Sequence, residues 1–144
     1  VILLTVAYHP KSAAPPPTAE GDMPQITISG WEYEFDKKEY DLPPAGTRMR
    51  VVFLNNGDTR HNVALRGVEN TDIELDLSQA GSLPKKLAMT AEDGAGQGLV
   101  NLPAEPGGIA MAEFTVGENT TFDVVCTLKG HETRGMLAEG VTGR

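Results

Sequence analysis

The run RMRVVFLNN, from Arg48 to Asn56, constrains the fold of this chain more than any other stretch. Its second half is β-branched and aromatic, which suits a pleated, buried strand, and the NNGD turn stops it after one strand's length. The same short grammar repeats along the chain. QITISGW alternates Ile26 and Ile28 with polar neighbours, and EYEF continues the extended path beyond Trp31. YDLPPAG breaks that path with its prolines and glycine, and HNVAL forms a short strand. MAEFTV and TFDVVCTL are strands joined by the turn GENT, and residues after Met136 supply a last short one. Sixteen glycines and ten prolines leave few long helix-forming runs. The pattern predicts an all-β chain, a Greek-key β-sandwich or barrel of about six to eight strands.

Residues 67–109 interrupt the grammar, with no sustained period of either kind, and read as one irregular insertion with room for a helix. NTDIELDLSQAGSLPKKLAMT is expected to hold an irregular helix broken at Gly81 and Pro84, and AEDGAGQG to be a flexible loop. Gly94, Gly96 and Gly98 have the look of a phosphate loop, but no strand precedes them and Pro103 stands where a helix would develop. Asp72, Glu74 and Asp76 alternate as a solvated strand face does, rather than as a calcium site.

With 144 residues the chain is about one domain long. Its folded domain is placed at 24–144. The Pro/Ala-rich segment 9–23, which contains a solvated His9, reads as a tether. The apolar VILLTVAY (1–8) reads as the remnant of a truncated anchor or signal, far shorter than the roughly twenty residues that span a bilayer. These features predict an extracytoplasmic location, periplasmic or on the outer membrane face, with a possible membrane tether. Asn119-Thr-Thr fits a glycosylation sequon. A net charge of -8 and a pI near 4.8 argue against a nucleic-acid partner.

The stretch CTLKGHETRGM, Cys126 to Met136, gathers the only cysteine, one of three histidines and one of five methionines within eleven residues. Thiolate, imidazole and thioether are the side chains that bind soft or borderline transition metals. Four residues separate Cys126 from His131 and four more separate His131 from Met136. On a loop bent by Gly130 and Gly135 the three can converge. A fourth donor has to come from elsewhere, and His61 is the remaining histidine outside the tether, at the start of a strand that can run beside the cysteine strand. Zinc sites rarely use methionine, and iron–sulfur clusters generally need more cysteines than one. Two histidines and a cysteine with a weak axial methionine is the blue-copper arrangement.

HNV after an NNG turn, followed by CTLKGHETRGM near the C-terminus, resembles the ligand motifs of the small blue-copper proteins, the cupredoxins. The four-and-four spacing is most similar to the auracyanin and rusticyanin branches. The resemblance implies a cupredoxin-like fold and one copper ion per chain. It implies His61, Cys126 and His131 as equatorial ligands, Met136 as the axial ligand, and Asn62 as a residue behind the ligands that ties the two ligand regions together. Lys129 stands where many relatives carry proline, and the glycine that usually follows two residues after the methionine is missing.

The function expected is a mononuclear electron carrier, shuttling single electrons between redox-protein donors and acceptors as a monomer. The alternative is a copper-binding module for storage, delivery or sensing. An enzyme is not expected: catalytic copper needs further histidines, and Val125 and Thr127, not histidines, flank Cys126. The electron is expected to pass through the edge of His131, beside a rim of Arg60, Lys129 and Arg134.

Overall fold

Inward-facing side chains of short strands build the interior between two facing sheets, and even the two- and four-residue strands contribute to it through Phe35, Tyr40 and Leu42. The computed structural model describes residues 23–118 and 121–143. The apolar segment 1–8, His9, nearly all of the tether and Asn119 of the sequon lie outside the described residues. In chain order the elements are β1 (Gln25–Trp31), β2 (Glu34–Phe35), β3 (Glu39–Leu42), β4 (Arg48–Asn55), β5 (His61–Arg66), β6 (Thr71–Gln79), α1 (Lys85–Gly96), β7 (Asn101–Ala104), β8 (Ile109–Thr115), β9 (Thr121–Val125) and β10 (Leu137–Thr142). One sheet has the order β2-β1-β4-β8-β6 and the other β3-β10-β9-β5-β7. From β4 to β9 the chain changes sheet at every step. Only β1 with β2 and β9 with β10 are consecutive strands that pair. No helix among the described residues is long and apolar enough to cross a membrane.

The strongest run in the sequence becomes the middle strand of its sheet. β4 pairs parallel with β1 and antiparallel with β8, so that Phe53 lies between Ile28 and Ala110 and Val51 between Ile26 and Ala112. Met49, Val51 and Phe53 face the inter-sheet core with Val63, Leu65, Phe114, Phe122 and Val124. Val52 and Leu54 point the other way and join a second buried cluster with Ile109 and Met111. A strand covered on both faces reads as a near-continuous apolar run, which is why this one is conspicuous.

The all-β sandwich with a helical insertion is as expected, but ten strands form among the described residues rather than six to eight. The extended EYEF is also cut: Glu32 and Tyr33 make a tight turn between the paired residues Trp31 and Glu34. Within 67–109 the helix lies later than expected. Residues 71–79 are β6, with Ile73, Leu75 and Leu77 half-buried and the acidic side chains between them exposed. Pro84 does not break a helix but precedes α1, where a missing N–H costs nothing because the first turn has no acceptor for it. AEDGAGQG is mostly the end of this helix, not a flexible loop, and Ala91 is its buried residue.

Candidate metal centre

Strand register brings the two ligand regions together. β5 and β9 pair antiparallel, Ala64 opposite Val125 and Leu65 opposite Val124, so the start of β5 and the exit of β9 share one end of the sandwich. At that seam the Thr127 N–H donates to Asn62 Oδ1 (2.8 Å), and Asn62 Nδ2 donates to Thr127 Oγ1 (3.0 Å) and Asn101 Oδ1 (2.6 Å). Asn62 thus fastens the start of the cysteine loop to β5 and β7. β9 and β10 form a hairpin with Val125 opposite Leu137, and one step further the Cys126 N–H donates to the Met136 carbonyl (3.2 Å). Cys126 and Met136 therefore stand at the two feet of the loop.

The loop itself is compact. His131 N–H donates to Leu128 O, a single 3-10 turn follows at Glu132–Arg134, and Met136 N–H returns to His131 O (3.0 Å). Gly130 (φ 82°) and Gly135 (φ 106°) take left-handed conformations that disfavour a Cβ. Arg66 on β5 holds the turn from outside through Glu132 (2.8 Å) and also reaches Asp123 (3.3 Å). That guanidinium, with some opposition from desolvation, keeps the Glu132 carboxyl below its usual range.

Three donor atoms converge. His61 Nδ1 is 3.2 Å from His131 Nδ1, which is 3.3 Å from Cys126 Sγ. The three residues form a group whose ligand atoms all lie within 4.8 Å of one another. His61 and Cys126 have no solvent exposure, while His131 is half-buried. Met136 is fully buried as well, its methyl carbon 3.1 Å from where a Cβ on Gly30 would stand, beside the Phe53 ring. The structure so assembles His61, Cys126 and His131 directly and places Met136 at the foot of the same loop. His9 lies outside the described residues.

Three residues at the site carry no signal in the sequence reading: Glu32, Tyr33 and Thr59. Glu32 Oε2 lies 3.5 Å from His61 Nε2, and the Tyr33 ring meets the His131 ring edge-on at 5.2 Å between centroids. Thr59 Oγ1 sits 3.4 Å from His61 Nε2. Turn chemistry gives no hint of them, because Tyr33 has φ 65°, a position where glycine or asparagine is the usual marker.

Burial pushes His61 below the ordinary histidine pKa of 6.5, a shift that the Glu32 carboxylate opposes. Burial likewise raises the Cys126 thiol above its ordinary value. For Glu32 desolvation pulls upward, but hydrogen bonds from Thr59 and the Asp58 N–H win and lower it. In the metal-free protein, unfolding lets His61 take up a proton that the folded state refuses. The unfolded state then binds more protons below pH about 6.5, so stability rises with pH there. We expect the unfolding midpoint of metal-free protein to be flat just above pH 6.5 and to fall as the pH drops below it, with a further loss below about 4.5 as Glu32 protonates. A His61→Gln variant measured over the same range should lose the first of the two steps.

No family model matches the chain, and no curated protein matches it. Solved structures do. An auracyanin from Roseiflexus castenholzii, reduced with dithionite, superposes with a TM-score of 0.59 at 20% identity over 86% of this chain and 100% of that one. Auracyanin A, a "blue" copper protein from the green thermophilic photosynthetic bacterium Chloroflexus aurantiacus, gives 0.55 at 21% identity, over 82% and 97%. The McoA multicopper oxidase from the hyperthermophile Aquifex aeolicus gives 0.58 at 13% identity, over 90% of this chain but 31% of that one. The fold is therefore the cupredoxin-like sandwich, matched over the whole length of an auracyanin.

Proposed function

We propose that the chain is a mononuclear blue-copper electron carrier whose residues 24–144 form the copper domain. His61, Cys126 and His131 would hold the ion through Nδ1, Sγ and Nδ1, with Met136 as the weak fourth donor. The observation that carries the reading is the convergence of those three atoms at a buried end of this fold, with His131 Nδ1 3.2 Å from His61 Nδ1 and 3.3 Å from Cys126 Sγ. Two imidazoles and one thiolate suit copper, and a thioether at the fourth place disfavours zinc. When bound, copper would supply the chemistry by cycling between Cu(I) and Cu(II).

The chain's own residues exclude water from three of the four donors and fix the fourth, His131, in a partly exposed position. Its outer edge is the path by which a redox partner gains electronic contact, next to the half-buried Leu128. Arg60 contributes little to a docking rim, because Glu105 accepts from both its Nε and its Nη2 (3.1 and 2.9 Å). Lys129 and Arg134 remain exposed at the loop. The closed donor set supports a carrier over a delivery protein, which needs an open site for transfer. A carrier also fits better than an oxidase because Val125 and Thr127, rather than histidines, flank Cys126. A tethered, extracytoplasmic setting is part of the proposal.

Adding Cu(II) to metal-free protein should give an intense absorption at about 600 nm from thiolate-to-copper charge transfer, bleached by a reductant and restored by an oxidant. A colourless complex that keeps only Cu(I) and passes it to a metal-free acceptor would instead establish the delivery role and end the carrier reading.

A further inference from the structure

We infer that the two-residue turn Glu32-Tyr33, remote in sequence from both ligand regions, is a clamp that positions the two imidazoles of the centre. The inference rests on the copper reading for its purpose but not for its geometry. β1 and β2 pair at Trp31 and Glu34, which leaves Glu32 and Tyr33 side by side at the tip of the hairpin. One of the two reaches His61 and the other reaches His131.

Glu32 acts through a short relay. Its Oε1 accepts from the Asp58 N–H and its Oε2 from the Thr59 hydroxyl, both at 2.7 Å. The threonine hydrogen is thereby committed to the carboxylate, and Thr59 Oγ1 can only accept from His61 Nε2, 3.4 Å away. Glu32 Oε2 itself faces the same nitrogen at 3.5 Å. Nε2 is surrounded by acceptors, so the neutral ring carries its proton there and turns the lone pair of Nδ1 toward Cys126 and His131. Gly57 makes the arrangement possible: a Cβ there would lie 2.2 Å from Glu32 Oε1 and 2.9 Å from His61 Nε2.

Tyr33 acts by packing. Its ring stands at 89° to the His131 ring, and the guanidinium of Arg134, in the same 3-10 turn, lies over the tyrosine ring 4.8 Å from its centroid. The backbone of Tyr33 is at φ 65°, a conformation that costs a bulky residue free energy and persists where the surroundings impose it. Glycine or asparagine is the usual residue at a turn position of this kind. The ring packs between His131 and the Arg134 guanidinium, contacts that hold the turn in this conformation.

The test uses Glu32→Ala, Tyr33→Gly and Tyr33→Phe in the full chain. Imidazole nitrogen NMR on metal-free protein should show His61 as a single Nε2–H tautomer in the wild type and as a tautomer mixture in Glu32→Ala. Tyr33→Gly should fold at least as stably as expected from relieved strain, yet broaden the His131 ring signals, and Tyr33→Phe should restore them. Titration with Cu(II) should show affinity lowered about 10- to 100-fold in Glu32→Ala. Folded Glu32→Ala and Tyr33→Gly proteins with wild-type imidazole spectra would overturn the clamp. A wild type that takes up no copper would instead overturn the carrier reading, and the metal-free spectra would still decide the clamp.

Discussion

Cys126→Ser abolishes the absorption at about 600 nm entirely while leaving the protein folded, if copper sits where the three donor atoms meet. The band arises from charge transfer between a thiolate and Cu(II), and serine offers neither the sulfur nor, near neutral pH, an anion. The substitution is nearly isosteric at a site with no solvent exposure. Its hydroxyl has a partner within reach, since Cys126 Sγ lies 3.3 Å from His131 Nδ1. A stability loss on the order of 1 kcal/mol is expected from placing a polar group in an apolar setting with one partner. Optical and paramagnetic-resonance spectra of copper-loaded wild type and variant, beside their denaturation curves, check both parts. A blue band that survives the loss of the sole cysteine would eliminate the proposed centre.

Phe53→Ala should be the most destabilising single truncation in the core, costing about 3–5 kcal/mol. The side chain has no solvent exposure, sits on the middle strand of its sheet, and is flanked in register by Ile28 and Ala110. Alanine on one neighbouring strand cannot swell to fill the space, so most of the cavity persists. The lost ring also lines the pocket at Gly30 where the Met136 methyl lies. The denaturant midpoint should therefore fall with an unchanged slope, and the resonance spectrum of the copper protein should broaden as Met136 samples more than one position. A loss below about 1 kcal/mol would mean that the sheets close over the gap and that the packing is looser than the register indicates.

The sandwich and the donor loop were legible because each left a local mark: alternation in β1, a doubly buried run in β4, and scarce sulfur and imidazole residues gathered within eleven positions that include two glycines. What was missed follows one rule. β2, β3, β6 and β7 are the four outer strands of the two sheets. Outer strands are kept short, charged, bulged or interrupted so that they do not recruit other chains, and those devices erase the pattern that identifies a strand. β2 has two residues, β7 contains Pro103, and β6 has register shifts at both ends; its Asp72, Glu74 and Asp76 do alternate as the strand face expected of them, but the longer stretch around them reads as a helix. Glu32 and Tyr33 were illegible for another reason. Their partners lie about 30 and 100 residues away in sequence, and nothing local in WEYEF tells a tight turn from a continuing strand.

The alternation of the chain between sheets carries a kinetic cost. With β1 and β2, and β9 and β10, the only neighbours in sequence that are also neighbours in space, nearly every ladder must close a long loop before it gains anything, and chains of this topology fold in milliseconds to seconds rather than microseconds. His61 and Cys126, 65 residues apart, come within reach of each other only when β5 has docked on β9. An ion present from the start would meet only the donors that are close in sequence, Cys126, His131 and Met136, and the distant imidazole would join them last. The complete set of donors is therefore a product of the finished topology, and no single segment of the chain carries it.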